Sequence, residues 1–283
     1  MMEIIKYTKD IKALIAELKK SGKIIGFVPT MGALHEGHLS LVECSRKRDD
    51  YTITSIFVNP TQFNDKSDLS NYPRTVDKDL ELLENAGCNM VFLPDEKEIY
   101  PSPDTRIFDF DGLDLVMEGK FRPGHFNGVA QVVTRFFDIV NPQRAYFGIK
   151  DFQQLAIIKH VVKKFRLPVE IVSCPIVRES NGLAMSSRNL RLSEKEKEIA
   201  SNISKILFAV KDKVSDFKSV EQIMHFVDEQ CELIPEIELE YFEIVNLSTL
   251  RPIEEMAGIS DGIGCIAAWI GGIRLIDNVI FNS

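Results

Sequence analysis

Apolar positions recur along the chain with two alternating periods. Over Thr8–Lys20 they fall at Ile11, Leu14, Ile15 and Leu18, one face of a helix, and Ser21-Gly22 closes the pattern. Residues 23–28 form a short apolar run of strand type, residues 38–48 read as helix, and residues 51–58 mix β-branched and aromatic side chains as strands do. Residues 73–86 predict a helix, with Pro73 suited to its first turn, Leu80 and Leu83 inward and Gly87 at its end. A strand over 89–93 follows, then a helix over 129–140, a strand over 144–147, a helix over 151–165 and a strand over 169–173. Strands alternating with helices of this length predict parallel pairing with right-handed crossovers. Residues 1–177 are therefore read as a doubly wound α/β domain.

The texture changes after Val177. Residues 178–191 are polar and contain Gly and Ser. Ser193, with Glu196 three residues on, forms a capping box that opens a long charged helix to about residue 214. A second helix over 220–231 and strands over 237–245, 264–270 and 273–281 complete a smaller α+β domain, 178–283.

Composition narrows the classes of function. Among 283 residues, 34 Lys+Arg against 42 Asp+Glu give a net charge of -8, which argues against a general nucleic-acid or anionic-membrane binder. An anionic small molecule stays open, because a few cations can gather in one cleft. The five cysteines form no C-x-x-C and are odd in number, so neither a zinc ribbon nor a disulfide framework is expected. The charged start lacks the apolar core of a signal peptide, and 262–273 is too short and Gly-rich to span a bilayer. A cytoplasmic protein is the expectation.

The chemistry concentrates after the first central strand, in Pro29-Thr30-Met31-Gly32-Ala33-Leu34-His35-Glu36-Gly37-His38. In a doubly wound sheet the first βα turn is the usual phosphate site, and a helix N-terminus offers N–H groups to an anion. Gly32 and Gly37 suit close approach of backbone to ligand. The turn is neither G-x-G-x-x-G nor a P-loop, which disfavours a dinucleotide site and a P-loop kinase. His35 and His38 share a face if both lie in the first helical turn. Surface or core histidines, anion donors and metal ligands are all open readings of such a pair. The spacing is not that of H-E-x-x-H, and no third ligand is in sight.

Residues 29–38 resemble the signature of the pantoate–β-alanine ligase (pantothenate synthetase) family, and His35-Glu36-Gly37-His38 looks like the HIGH-type motif of the wider nucleotidylyltransferase superfamily. Further blocks follow in the family's order: Phe57-Val58-Asn59-Pro60-Thr61-Gln62-Phe63, Tyr72-Pro73-Arg74-Thr75, His125-Phe126-Asn127-Gly128-Val129, Phe147-Gly148-Ile149-Lys150-Asp151-Phe152-Gln153-Gln154, and the stretch from Arg178 to Asn189 with Met185-Ser186-Ser187-Arg188. After Arg191 the layout matches but no functional motif does.

The resemblance implies a Rossmann-like catalytic domain that condenses (R)-pantoate with β-alanine at the expense of ATP, through a pantoyl adenylate, giving pantothenate, AMP and pyrophosphate. It implies that Met31, Gly32, Ala33, Leu34, His35, Glu36, Gly37 and His38 hold ATP, with His38 catalytic and His35 beside it. Gly148, Ile149, Lys150 and Asp151 form a second ATP turn. In chemical terms Lys150 suits the α-phosphate; Asp151 suits either a Mg²⁺ held through water or phosphates, or a helix cap. Val177 and the Met185, Ser186, Ser187 and Arg188 strip belong to the family's ATP site, where Arg188 can bind phosphate in a bidentate manner; by composition alone the strip is also a polar linker. Gln62 and Gln154 match the pantoate residues, and Gln62 also lies near β-alanine in the family. Asn59 and Tyr72 are candidates for the same pocket. The polar stretch 62–71 and the second domain are candidate lids, and a homodimer is implied. A superfamily nucleotidylyltransferase, a catalytically silent nucleotide-binding regulator and, last, a Rossmann oxidoreductase are the rival readings.

Overall fold

The central strands of the first half are buried on both faces, and this decides the layer architecture. Successive strand residues point to opposite sides: Phe27 and Ala145 enter one apolar cluster with α-helical partners, Val28 and Tyr146 enter another. Such strands read as continuous apolar runs and need helices on both faces.

The computed structural model of the chain describes residues 2–63 and 69–281. Two compact units are present: Met1–Ile149 with Gln154–Pro175, and Lys150–Gln153 with Ile176–Ser283. The first contains β1 (Glu3–Ile5), α1 (Thr8–Lys20), β2 (Ile25–Thr30), α2 (Glu36–Arg48), β3 (Tyr51–Ile56), α3 (Val76–Asn85), β4 (Met90–Phe92), the short α4 (Glu96–Ile99) and α5 (Met117–Phe121), α6 (His125–Val140), β5 (Arg144–Gly148), most of α7 (Phe152–Lys164) and β6 (Glu170–Cys174). Its strands form one parallel sheet in the order β1-β4-β3-β2-β5-β6. Ile11 and Ile15 of α1, Val129, Val133 and Phe136 of α6 and Leu155 of α7 cover one face; Leu41 and Val42 of α2 and Leu83 of α3 cover the other. This is the doubly wound fold that the pattern predicts.

The chain runs outward from β2 through β3 to β4, then returns to lay β5 on the other side of β2. That reversal is a topological switch point, where open α/β sheets bind ligands beyond their carboxyl strand ends. The pairing makes room for it. β2 and β3 are in register from Ile25↔Tyr51 to Thr30↔Ile56, whereas β2 and β5 pair at Gly26↔Arg144 and Phe27↔Ala145 and part beyond.

The second unit carries α8 (Glu194–Asp212), α9 (Val220–Glu232) and an antiparallel sheet of β7 (Glu238–Asn246), β8 (Gly262–Ile270) and β9 (Ile273–Ile280), in that order. Ile203 and Leu207 of α8 and Ile223 and Val227 of α9 pack on Phe242, Ile266, Leu275 and Val279 of the sheet. The capping box forms as expected: Glu196 Oε2 accepts from Ser193 N–H at 2.8 Å and Ser193 Oγ accepts from Glu196 N–H at 3.3 Å.

Burial, aided by the neighbouring Cys44 thiol, pushes the Cys174 thiol up to about 12, and burial pushes Cys231 up to about 11, so both stay protonated core thiols. No helix among the described residues is long and apolar enough to cross a membrane.

Candidate active site

The bend after β2 is held from below by a single carboxylate. Asp79, in the first turns of α3 and 1 % exposed, accepts from the backbone N–H of Ala33 at 2.9 Å and of Leu34 at 2.8 Å, and from the Thr75 hydroxyl at 3.1 Å. Above it the backbone turns through Gly32 at φ 82° and Ala33 at φ 49°. A side chain at Gly32 would be strained by that φ, and its Cβ would lie 3.0 Å from Asp79 Oδ2 and 3.1 Å from Ile56 Cγ2. Thr30 closes the strand end, its hydroxyl donating to the Ser55 carbonyl at 2.7 Å and accepting from Gly32 N–H at 3.2 Å.

His35 is the cap of α2, which is why the helix begins at Glu36 rather than at His38. Its Nδ1 accepts from Gly37 N–H at 3.1 Å, and His38 Nδ1 faces His35 N–H at 3.4 Å. The rings lie 4.1 Å apart between centroids. A backbone N–H only donates, so Nδ1 carries the lone pair and Nε2 the proton in both rings. The bend was expected to offer backbone N–H groups to an anion. Those of Ala33 and Leu34 go to Asp79, and that of Gly37 to His35.

Gln62 sits in a short turn, Pro60–Gln62, built by a buried polar network. Asn59 Nδ2 donates to Gln62 Oε1 and to the Gly128 carbonyl, each at 3.1 Å, and Asn59 Oδ1 accepts from the Tyr100 hydroxyl at 2.9 Å. Burial pushes the Tyr100 phenol above its ordinary value, so it remains a donor. With Oε1 fixed, the Gln62 amide nitrogen faces Met31 Sδ at 3.2 Å. A thioether is a weak acceptor. The backbone of Gln62 is held too: His125 Nδ1 donates to its carbonyl at 2.7 Å, while His125 Nε2 faces Arg122 Nη1 at 3.2 Å. Tyr72 is buried, with its ring edge-on to Phe63 at 5.7 Å. Gln154 lies half-buried in the first turn of α7. Residues 64–68 of the candidate lid at 62–71 lie outside the described residues.

Gly128 makes this turn possible. A Cβ there would stand 2.4 Å from the Thr61 carbonyl oxygen and 2.7 Å from Gln62 Cα, both backbone neighbours that cannot rotate away. Gly128→Ala is expected to cost about 1–3 kcal/mol in stability by pushing the Thr61–Gln62 backbone away. Thermal melting checks this; an unchanged melting temperature would show that the turn tolerates the extra methyl.

Gly148 and Ile149 lie at the carboxyl end of β5, beside β2 in the first unit, whereas Lys150 and Asp151 belong to the second. Lys150 Nζ is 3.6 Å from Asp151 Oδ1. Residues 177–185 form a tight hairpin rather than a loose linker: Met185 N–H donates to the Val177 carbonyl at 3.0 Å, and Arg178 bridges Ala184. Val177 and Met185 are thereby neighbours. Ser186 caps the following turn, its Oγ accepting from Arg188 N–H at 3.2 Å. Asn189 ties that turn back through Nδ2 to the Ala184 carbonyl at 3.1 Å and Glu179 at 2.8 Å.

No group of three or more His, Cys, Asp or Glu side chains suited to a metal is found among the described residues. A Mg²⁺ that travels on a triphosphate needs only one or two protein oxygens, and the half-exposed Asp151 carboxylate fits that demand. Asp79, His125 and Tyr100 carry much of this geometry without having been singled out from sequence. Asp79 reads there as one more acid in a helix's first turn; His125 was visible only inside a motif block.

The chain has close counterparts among known proteins. The family model described as Pantoate-beta-alanine ligase matches residues 3–280. A pantothenate synthetase of Bacteroides fragilis is 51% identical over 282 residues, covering 100% of both chains. The crystal structure of pantothenate synthetase from Thermus thermophilus superposes with a TM-score of 0.93 at 38% identity over 100% of each chain. That of a Francisella tularensis pantoate-beta-alanine ligase, complexed with beta-gamma ATP and beta-alanine, gives 0.83 at 35% identity over 100% of this chain and 99% of the other. A family match spanning nearly the whole sequence, at half identity with curated relatives, means that this chain belongs to the pantoate–β-alanine ligase family.

Proposed function

We propose that the protein joins (R)-pantoate to β-alanine with ATP, giving pantothenate, AMP and pyrophosphate. The observation that carries this reading is the His35–His38 pair, set ring to ring at the start of α2 just beyond β2, at the switch point where β2 and β5 part. In the first step a pantoate carboxylate oxygen bonds to the α-phosphorus of ATP and the bond to pyrophosphate breaks. Charge grows on the phosphate oxygens, which His38 and Lys150 stabilise. Met31–His38, Gly148–Asp151, Val177 and Met185–Arg188 are assigned to ATP. Mg²⁺ carried on ATP supplies further charge neutralisation, with Asp151 the residue to hold it.

Gln62 and Gln154 are assigned to pantoate, and Gln62 also to β-alanine. Neutral amides orient a carboxylate without cancelling its nucleophilicity. In the second step the β-alanine amine, having lost a proton, attacks the acyl carbon, and AMP leaves. The adenylate must be kept from water; residues 178–283 are assigned as a lid on a catalytic domain of residues 1–177. The proposal includes a cytoplasmic homodimer, consistent with the apolar Ile107 and Leu115 at 90% and 71% exposure, and no nucleic-acid partner, consistent with the net charge of -8.

Pyrophosphate release with each substrate omitted in turn tests this. Release is expected with ATP and pantoate alone, for a single turnover, and sustained AMP formation only when β-alanine is added. Nucleotide binding without pyrophosphate release for any acid would instead favour a silent regulator, and AMP left on a phosphate product would favour a nucleotidylyltransferase.

A further inference from the structure

Asp277 and Asn278 are buried neighbours on β9, and successive strand residues point to opposite faces. Asp277 shares a face with Leu275 and Val279, which pack on the helices. There it takes both arms of the Arg178 guanidinium, at 2.6 and 3.0 Å. The same guanidinium donates to the Gly182 carbonyl at 3.1 Å and stands over the Phe208 ring, 4.9 Å from its centroid. Arg178 therefore fixes the hairpin through which the backbone enters Met185–Arg188. Asn278 serves the other face: its Nδ2 donates to the Lys150 carbonyl at 2.9 Å, and its N–H donates to Asp277 Oδ1 at 2.8 Å. Both tethers lie within the second unit, to which Lys150 belongs.

We infer that Asn278 is a positioning residue for adenylation, holding Lys150 by its backbone on a strand whose opposite face Asp277 ties to the hairpin leading into Met185–Arg188. This rests on the reading of Lys150 as a phosphate contact. A lysine ammonium rides on a flexible four-carbon stem, so its aim depends on where the backbone is fixed. Lys150 lies in a single 3-10 turn, Ile149–Asp151, that leads directly into α7 at Phe152, and the Asn278 amide is a long-range side-chain anchor on its carbonyl. A carbonyl only accepts, so the side chain that pins it must donate, and the Asn amide does.

The test uses the full chain, with single-turnover pyrophosphate release, the pantoate KM and thermal melting as readouts. Asn278→Ala, and Asn278→Asp, which loses the donor and sets a second carboxylate beside Asp277, are each expected to slow adenylation about fivefold to tenfold at a little changed pantoate KM; both lower the melting temperature because Asn278 is buried, the Asp variant more. The double variant Lys150→Ala/Asn278→Ala is expected to be no slower than Lys150→Ala, because one residue acts through the other. Both Asn278 variants at the unsubstituted rate, or effects that multiply in the double variant, would overturn the inference while leaving Lys150 in place. Lys150→Ala at the unsubstituted rate would instead remove the reading of Lys150, and the inference with it.

Discussion

His38→Ala is expected to slow pantoyl-adenylate formation by about 10²–10³ while the protein still folds. The geometry supplies the reason. His38 Nδ1 faces the His35 N–H and His35 Nδ1 that of Gly37, so each ring presents Nε2–H. The bend's own amides at Ala33 and Leu34 are bound to Asp79. The substitution removes an imidazole donor to the oxygens that gain charge as pyrophosphate departs, and losing one such donor typically costs about 2.7–4 kcal/mol in the transition state. Stability should fall by only about 0.5–2 kcal/mol, the value of a helix cap contact. His38→Gln, which keeps an N–H at similar reach, is expected to recover part of the rate. Single-turnover pyrophosphate release and melting measure the two effects separately; near-normal release in His38→Ala would remove the assigned role.

The architecture was legible in the sequence because periodicity and burial agree. The central strands of the parallel sheet are apolar on both faces and read as runs, and the amphipathic stripes of α1 and α3 read as helices between them. β1 was missed for a physical reason: it is three residues long, begins with Glu3 and lies at the sheet edge, where a strand needs little apolar side chain. The start of α6 was placed four residues late because His125–Gly128 is built for the Gln62 turn as much as for helix.

The site was legible only as far as residue types announce themselves. His35, His38, Gln62 and Lys150 stand in motifs, whereas the residues that orient them do so through contacts far apart in sequence. His125 reaches the Gln62 carbonyl across 63 positions and Asn278 reaches Lys150 across 128. Periodicity has no term for such contacts. The hairpin at 177–185 that leads into the Met185–Arg188 strip was not legible for the same reason, since its anchor, Asp277, is 99 residues from Arg178.

Asp79→Ala is expected to damage stability and ATP binding together, which separates it from His38→Ala. The carboxylate is buried and accepts two backbone N–H groups and a hydroxyl. Truncation leaves both N–H groups without that acceptor, at about 1–3 kcal/mol each, a combined loss of roughly 2–6 kcal/mol and a fall in melting temperature on the order of 10 °C. Ala33 sits at φ 49°, a conformation a non-glycine residue holds only when its surroundings demand it. Without Asp79 that demand is gone, the turn relaxes, and the cap at His35 loses its fixed approach to the strand end. The KM for ATP should therefore rise along with the loss of stability. Asp79→Asn keeps one acceptor oxygen but turns an amide N–H toward a backbone donor, so an intermediate effect is expected. ATP-dependent kinetics and melting curves on the two variants decide the matter: an Asp79→Ala protein with unchanged melting and ATP dependence would mean that the bend holds its shape by other contacts, and that the donors of His35 and His38 are aimed without it.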